Sequence, residues 1–358
     1  MTRSPRIAHL GLGAFARAHQ AWYTQEVSDG WGIVAIPNRS TAILDRLREQ
    51  EFVYSVVVRH PDFDVVGEMP TVVAISADAL ADPAIAILTM TVSEAGYLAG
   101  AHPIGLIADG LRARRAGGGG PIAMVPCDNV PANGRALRDV LLASVDADLA
   151  SWIDDNVSFV STMVDRITPA TTDADRATAR ERLGWDDQIP VVTEPFTEWV
   201  LQGDFPAGRP AWERGGAQFV DDVEPYENRK LWLLNAAHSL LAYRGLETGH
   251  ETVFDAWADP VLAAEVEQLW VEAREVLELP PADVDEWLAA LRIRWQNPRI
   301  EHRLAQIALG GEQKIPARIL SVASRRKEAG LPVGVAETET VAAYMRYRDT
   351  RSMKEASQ

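Results

Sequence analysis

The chain has 358 residues, 47% of them hydrophobic, and a formal net charge of −16. That length exceeds one small core and suits two domains of roughly 150–200 residues each. The charge excludes bulk electrostatic binding to nucleic acid or an anionic membrane, but not a local basic pocket for an anionic cofactor. The single cysteine, Cys127, excludes an internal disulfide and a zinc site built on several thiolates.

Arg6 to Leu10 is short and apolar and reads as a buried first strand running into Gly11-Leu12-Gly13. Ala14 to Val27 has few breakers and reads as a helix. Gly32 to Ile36 is a second buried strand, stopped by Pro37, and Ala42 to Gln50 is helical. Phe52 to Val58 and Pro70 to Ile75 are β-rich. Ala84 to Met90 is another strand, and His102 to Ala116 a helix. The glycine run 117–120 precedes Pro121 to Val125, a central-strand pattern. Arg135 to Ala147 reads as a helix and Val157 to Val164 as a strand. Alternation of this kind implies a mostly parallel sheet with both faces covered.

After about Glu224 the texture becomes almost purely helical, over Tyr226 to Gly245, Val253 to Leu279, Val284 to Ile293 and Ile300 to Leu309. Pro280-Pro281 and Gly310-Gly311 punctuate it. The linker falls near Asp221 to Pro225, giving domains 1–224 and 225–358. From about Thr350 the chain is polar and is expected to fray. No stretch resembles a signal peptide and no run is apolar enough to span a bilayer, so the expectation is a soluble cytoplasmic protein.

Gly11-Leu12-Gly13-Ala14-Phe15-Ala16 fits G-x-G-x-x-A between a predicted strand and a helix. The first glycine allows a tight turn. The second lets the backbone approach a pyrophosphate, and Ala16 keeps the helix close to the strand. Gly11, Gly13, Ala14 and Phe15 are therefore cofactor candidates. The second strand ends Ile36-Pro37-Asn38-Arg39-Ser40, without the usual carboxylate for the ribose 2′-hydroxyl. Asn38 can hydrogen-bond a hydroxyl and Arg39 can pair with a 2′-phosphate. The cofactor reads as NAD or NADP, with the preference open.

The most informative stretch is Lys230-Leu-Trp-Leu-Leu-Asn235-Ala-Ala-His238. On an α-helix, Glu227, Lys230, Asn235 and His238 fall within a sector of about 140°. Leu231 and Leu234 share that sector, and the rest of the helix is apolar. Polar groups on a buried helix need partners or a cavity. The alternative is an internal hydrogen-bond network with no chemistry. The chemical reading is an alcohol–carbonyl hydride transfer. A lysine beside apolar walls can accept the hydroxyl proton. An asparagine amide can donate to the developing oxyanion, and a histidine can orient that oxygen or the lysine. No metal is required. A second polar loop, Pro126 to Gly134, follows the Pro121–Val125 strand, at the strand end where open α/β sheets bind ligands. Val164 to Pro169 follows the next strand in the same way. Cys127 has no adjacent base and reads as a packed thiol.

Taken together, these motifs resemble the mannitol dehydrogenase family of long-chain polyol-specific dehydrogenases. Gly11 to Gln20 looks like its N-terminal motif and Phe159 to Pro169 like its signature. Thr91 to Tyr97, Cys127-Asp128-Asn129 and Lys230…Asn235…His238 follow the family's order. The resemblance covers about residues 6 to 320. It implies a Rossmann-type N-terminal domain with a doubly wound sheet, a mainly α-helical C-terminal domain, and an active site between them. It implies metal-independent catalysis with Lys230 as general base, Asn129 and Asn235 as the oxyanion site, and His238 binding substrate hydroxyls or positioning Lys230. Glu94 and Glu227 would line a proton path. Asp165, Arg303 and Lys314 match substrate-binding positions. The implied partner is a small polyol or hexonate and its ketose, in a monomer or small homo-oligomer.

The chain is shorter than the mannitol 2-dehydrogenases and hexuronate reductases it resembles. Mannitol-1-phosphate dehydrogenases are closer in length but lack the Arg17-Ala18-His19 run, and a sugar-phosphate dehydrogenase is the alternative enzyme. A nucleotide-binding regulatory protein without catalysis is the alternative outside enzymes.

Overall fold

The apolar runs of the first half become strands because each is buried on both faces. The computed structural model describes residues 3–356. It divides after Val223 into two compact units.

In the first unit the strands, in chain order, are β1 Ser4–Leu10, β2 Trp31–Ile36, β3 Tyr54–Arg59, β4 Asp64–Met69, β5 Val72–Ile75 and β6 Ile87–Met90. They continue as β7 Ile122–Pro126, β8 Val157–Phe159, β9 Ser161–Asp165, β10 Val191–Thr193, β11 Glu198–Gln202 and β12 Gln218–Phe219. Six form one sheet in the order β5-β2-β1-β6-β7-β8, with every neighbouring pair parallel. This is the 3-2-1-4-5-6 order of a Rossmann sheet. Its strand order reverses between β1 and β6, which opens a crevice at the strands' carboxyl ends. Alternate residues feed two cores. Ile7, Ile33, Ala35, Ile87 and Val125 face one. Leu10, Val34, Ile36, Leu88 and Met124 face the other, under the helices His102–Ala116, Asn133–Leu142 and Ala147–Asn156.

Two predicted elements are divided. The expected helix 14–27 is two helices, Ala14–Ala18 and Gln20–Val27, broken at His19. His19 is fully buried and its Nε2 lies 2.9 Å from the Glu198 carbonyl, so it bonds across to β11 rather than continuing the helix. The expected strand 157–164 breaks at Val160. β8 closes the parallel sheet, while β9 turns away to pair antiparallel with β11. Asn133 holds that bend by bonding both the N–H and the carbonyl of Thr162 at 2.9 Å. The expected helix 135–147 also ends early, at Leu142, before a separate helix Ala147–Asn156. Two small sheets, β10-β3-β4 and β12-β11-β9, complete the unit.

The second unit is helical among its described residues, apart from one isolated bridge between Thr252 and Arg303. Helices Pro260–Arg274 and Pro281–Trp295 pack through Trp270 and Trp295, whose rings stack 5.6 Å apart. Residues 350–356 continue the last helix, Val335–Ala356, instead of fraying. Residues 357 and 358 lie outside the described range. No described helix is long and apolar enough to cross a membrane.

Candidate active site

Gly11, Leu12, Gly13, Asn38, Arg39 and Ser93 line one cleft of about 690 Å³ at the carboxyl ends of β1, β2 and β6. Gly11 has φ +93°, and a Cβ there would sit 1.9 Å from the Thr91 carbonyl oxygen. Only glycine lets β1 turn so close to the end of β6. Gly13 differs: a Cβ would meet nothing nearer than the Gly11 oxygen at 3.8 Å. Its missing side chain therefore leaves open space beside the backbone, which is the cradle a pyrophosphate requires. Ala14 and Phe15 do not line this cleft. They pack half-buried on the core, with Phe15 stacked on His19 at 4.9 Å.

Sequence reading passed over His9, the buried residue that supports the glycine turn. Its Nδ1 lies 2.7 Å from the Thr89 hydroxyl and its Nε2 3.2 Å from the Thr91 hydroxyl, which in turn donates to the Gly11 carbonyl at 2.6 Å. One neutral tautomer satisfies every group: Thr89 donates to Nδ1, and Nε2–H donates to Thr91. Burial lowers the His9 pKa to about 4. Unfolding releases this imidazole to titrate near 6.5. The unfolded chain then binds more protons than the folded one between about pH 4 and 6.5, so stability is complete above that window and is lost as pH falls through it. The shift corresponds to about 3 kcal/mol. Urea titrations from pH 7.5 to 4.5 are expected to show falling stability, with a shallower fall in His9→Asn. An unchanged slope in that variant would remove His9 as its source.

Asn129 sits after β7, beside Asp128. The Asp128 carboxylate accepts the Val92 N–H at 2.6 Å and the Tyr97 hydroxyl at 2.7 Å. It ties this loop to the β6 loop that carries Glu94. Burial, opposed by those two donors, pushes the Asp128 carboxyl up to about 7. Cys127 is buried, and burial raises its thiol far above neutrality, so it is a packed thiol. Asp165 ends β9 and is buried. The neighbouring motif residues Arg17 and Arg166 serve the scaffold. Both are buried and donate to main-chain carbonyls, of Ile189 and of Ala18 and Glu194 respectively.

In the second unit the helix Glu224–Arg229 passes into a π-helical turn, Lys230–Asn235, and on into the α-helix Ala236–Thr248. This corrects the α-helical geometry expected from sequence. An i→i+5 turn advances roughly 80° per residue instead of 100°, which brings Lys230 and Asn235 from about 140° apart to about 40°. Burial agrees. Lys230, Leu231 and Asn235 are half-buried along one stripe, whereas Trp232, Leu233 and Leu234 are buried. Leu234 thus leaves the polar face on which the α-helical wheel put it.

Partners outside the turn satisfy its carbonyls. The Trp270 indole donates to Leu233 at 3.0 Å, and Arg318 donates to Asn235 at 3.1 Å. Arg318 lies in a second π-helical turn, Pro316–Leu320, opened by a proline that has no N–H to give. Burial lowers the Arg318 pKa to about 10.

His238 lies beneath this stripe and is 6% exposed. Its ring meets His302 edge-on at 4.8 Å and tilts against Trp295 at 5.4 Å. Its Nε2 has no hydrogen-bond partner among the described residues. Burial, then the charges of His302, Arg318, Arg294 and Lys230, hold its pKa well below 6.5, so the ring is neutral. Glu227 is half-buried one turn before Lys230. Arg303 is spent on exposed ion pairs with Glu301 at 3.3 Å and Glu251 at 3.8 Å. Lys314 Nζ donates to the Ile307 carbonyl at 3.0 Å. No group of His, Cys, Asp and Glu among the described residues is arranged to hold a metal.

A six-stranded Rossmann sheet with this glycine turn, followed in the chain by a helical unit bearing a lysine–asparagine–histidine face, defines a nicotinamide-dependent oxidoreductase. Residues 5–214 match the mannitol dehydrogenase Rossmann domain and residues 222–357 the mannitol dehydrogenase C-terminal domain. The chain belongs to the mannitol dehydrogenase family, and its cofactor is NAD or NADP. The D-mannonate oxidoreductase of Escherichia coli is 35% identical, over 88% of this chain and 74% of the relative. The mannitol 2-dehydrogenase of Cereibacter sphaeroides is 33% identical, over 88% and 75%. The structure of Pseudomonas fluorescens mannitol 2-dehydrogenase in ternary complex with NAD and D-mannitol aligns with TM-score 0.84 and 32% identity, covering 97% of this chain and 79% of that one.

Proposed function

We propose that the enzyme interconverts a polyol, or a hexonate-type sugar acid, with the corresponding ketose, with Lys230 as the general base. The observation that carries this reading is the stripe of Lys230 and Asn235 over a neutral, buried His238 whose Nε2 has no partner. A buried ring nitrogen without a hydrogen bond is costly unless a ligand completes it. A substrate hydroxyl is such a ligand.

The dinucleotide, bound at Gly11 and Gly13, supplies hydride acceptance in the oxidative direction. The hydroxyl proton goes to the uncharged Lys230 amine as the carbon loses its hydride, and the same proton returns in the reductive direction. Asn235 donates its amide to the oxygen as charge develops, and Asn129 adds a second donor. His238 Nε2 fixes the hydroxyl. Glu227 and Glu94 carry the proton away from Lys230. Asp165 contributes to substrate binding. Arg318, rather than Arg303, is the cation that touches the catalytic turn, through the Asn235 carbonyl. These side chains fill every role without a metal.

The polyol and hexonate class rests on the relatives' activities with mannitol and mannonate. A panel of free polyols, sugar acids and sugar phosphates, run with both dinucleotides, tests it. Turnover is expected with a member of the first two groups. Turnover with sugar phosphates alone, or dinucleotide binding with no turnover anywhere, would overturn the reading.

A further inference from the structure

The cleft's lining is unusual in its charge. None of the residues that line it is Asp or Glu, and it includes Arg39 and Ser40 immediately after β2. Arg39 is exposed and has no carboxylate partner among the described residues. The next arginines along the chain differ: Arg46 pairs with Glu49 at 2.7 Å and Arg48 with Asp45 at 2.8 Å. Arg39 is therefore the cation at this strand end whose charge is not neutralised.

The turn itself is held. Asn38 Oδ1 accepts the Arg39 N–H at 2.8 Å, which occupies the asparagine's oxygen and leaves its NH₂ as the group available to a ligand. The position at the end of the second strand is the one that meets the adenosine ribose in this fold. A carboxylate there accepts from the 2′-hydroxyl and repels a 2′-phosphate. Here the available groups are a guanidinium, an amide NH₂ and a serine hydroxyl, all able to donate. A guanidinium offers a phosphate two parallel N–H bonds and full charge.

We propose that Asn38, Arg39 and Ser40 form an adenosine 2′-phosphate subsite, with Arg39 the residue that sets a preference for NADP(H) over NAD(H). The proposal rests on the reading that this cleft holds the dinucleotide.

Binding without turnover tests it, by calorimetry of the intact chain with NADPH, NADH, 2′,5′-ADP and 5′-ADP. NADPH is expected to bind at least tenfold more tightly than NADH in about 20 mM salt, and 2′,5′-ADP more tightly than 5′-ADP. At about 300 mM salt the margin narrows, because the exposed charge pair is screened. Arg39→Ala is expected to lose the margin while NADH affinity stays within twofold, Arg39→Lys to keep part of it, and Arg39→Glu to reverse it. Equal affinities in the wild type, or equal weakening of both dinucleotides by Arg39→Ala, would overturn the subsite and leave the cleft reading standing. Failure of every probe to bind would overturn the cleft reading, and the subsite with it.

Discussion

Lys230→Ala is expected to lower kcat at least a thousandfold while the dissociation constant for the reduced dinucleotide changes less than twofold. Removing a general base costs on the order of 10²–10⁴ in rate, and the hydroxyl proton then has no acceptor on the Lys230–Asn235 stripe. The side chain is half-buried on the open side of its helix, so truncation leaves no sealed cavity. The fold should persist, as judged by circular dichroism. Lys230→Arg should not rescue, since a guanidinium does not deprotonate near neutral pH. Activity within tenfold of wild type in Lys230→Ala would remove this residue from the mechanism. So would a parallel loss of dinucleotide affinity, because it would point to misfolding instead.

The two glycines of the β1 turn should fail in different ways. In Gly11→Ala the new methyl would lie 1.9 Å from the Thr91 oxygen, at φ +93°. Backbone strain of about 1–3 kcal/mol adds to that clash. Loss of thermal stability is expected even without ligand, together with loss of dinucleotide binding. Gly13→Ala has ordinary room. Its unliganded melting temperature should stay within about 2 °C, on the usual scaling for a chain of this size. Dinucleotide affinity should nevertheless fall at least a hundredfold, because the methyl stands where the pyrophosphate approaches. If both variants melt like wild type and bind normally, the cleft is not the cofactor site.

Much of the first unit was legible because its central strands are buried on both faces and read as unbroken apolar runs. Trp31–Ile36 is buried throughout. The strands that escaped notice, Val191–Thr193 and Glu198–Gln202, are short and owe their state to partners far along the chain. Nothing local marks Val160 as the point where one strand leaves its sheet for another. The residues of the catalytic face were legible, but their geometry was not. A wheel drawn at 100° per residue assumes the α pitch, and the π turn depends on Trp270 and Arg318, which sequence alone does not bring to Leu233 and Asn235. Arg17 and His19 were legible as a motif. Their work is to hold main-chain carbonyls of distant strands, which only the fold displays. His9 gave no signal at all, being one polar residue in a buried strand.

The π turn also has an arithmetic consequence. A widened turn amounts to one residue more than the α-helix would use over the same rise. Deleting any one residue from 230–235 would restore the regular pitch and swing everything after it by about 100° relative to what precedes it. His238 would then leave its place beneath Lys230, although each named side chain was still present. The catalytic face is encoded by how many residues the turn contains as well as by which ones, and a sequence comparison tolerant of single-residue gaps would pass over that difference.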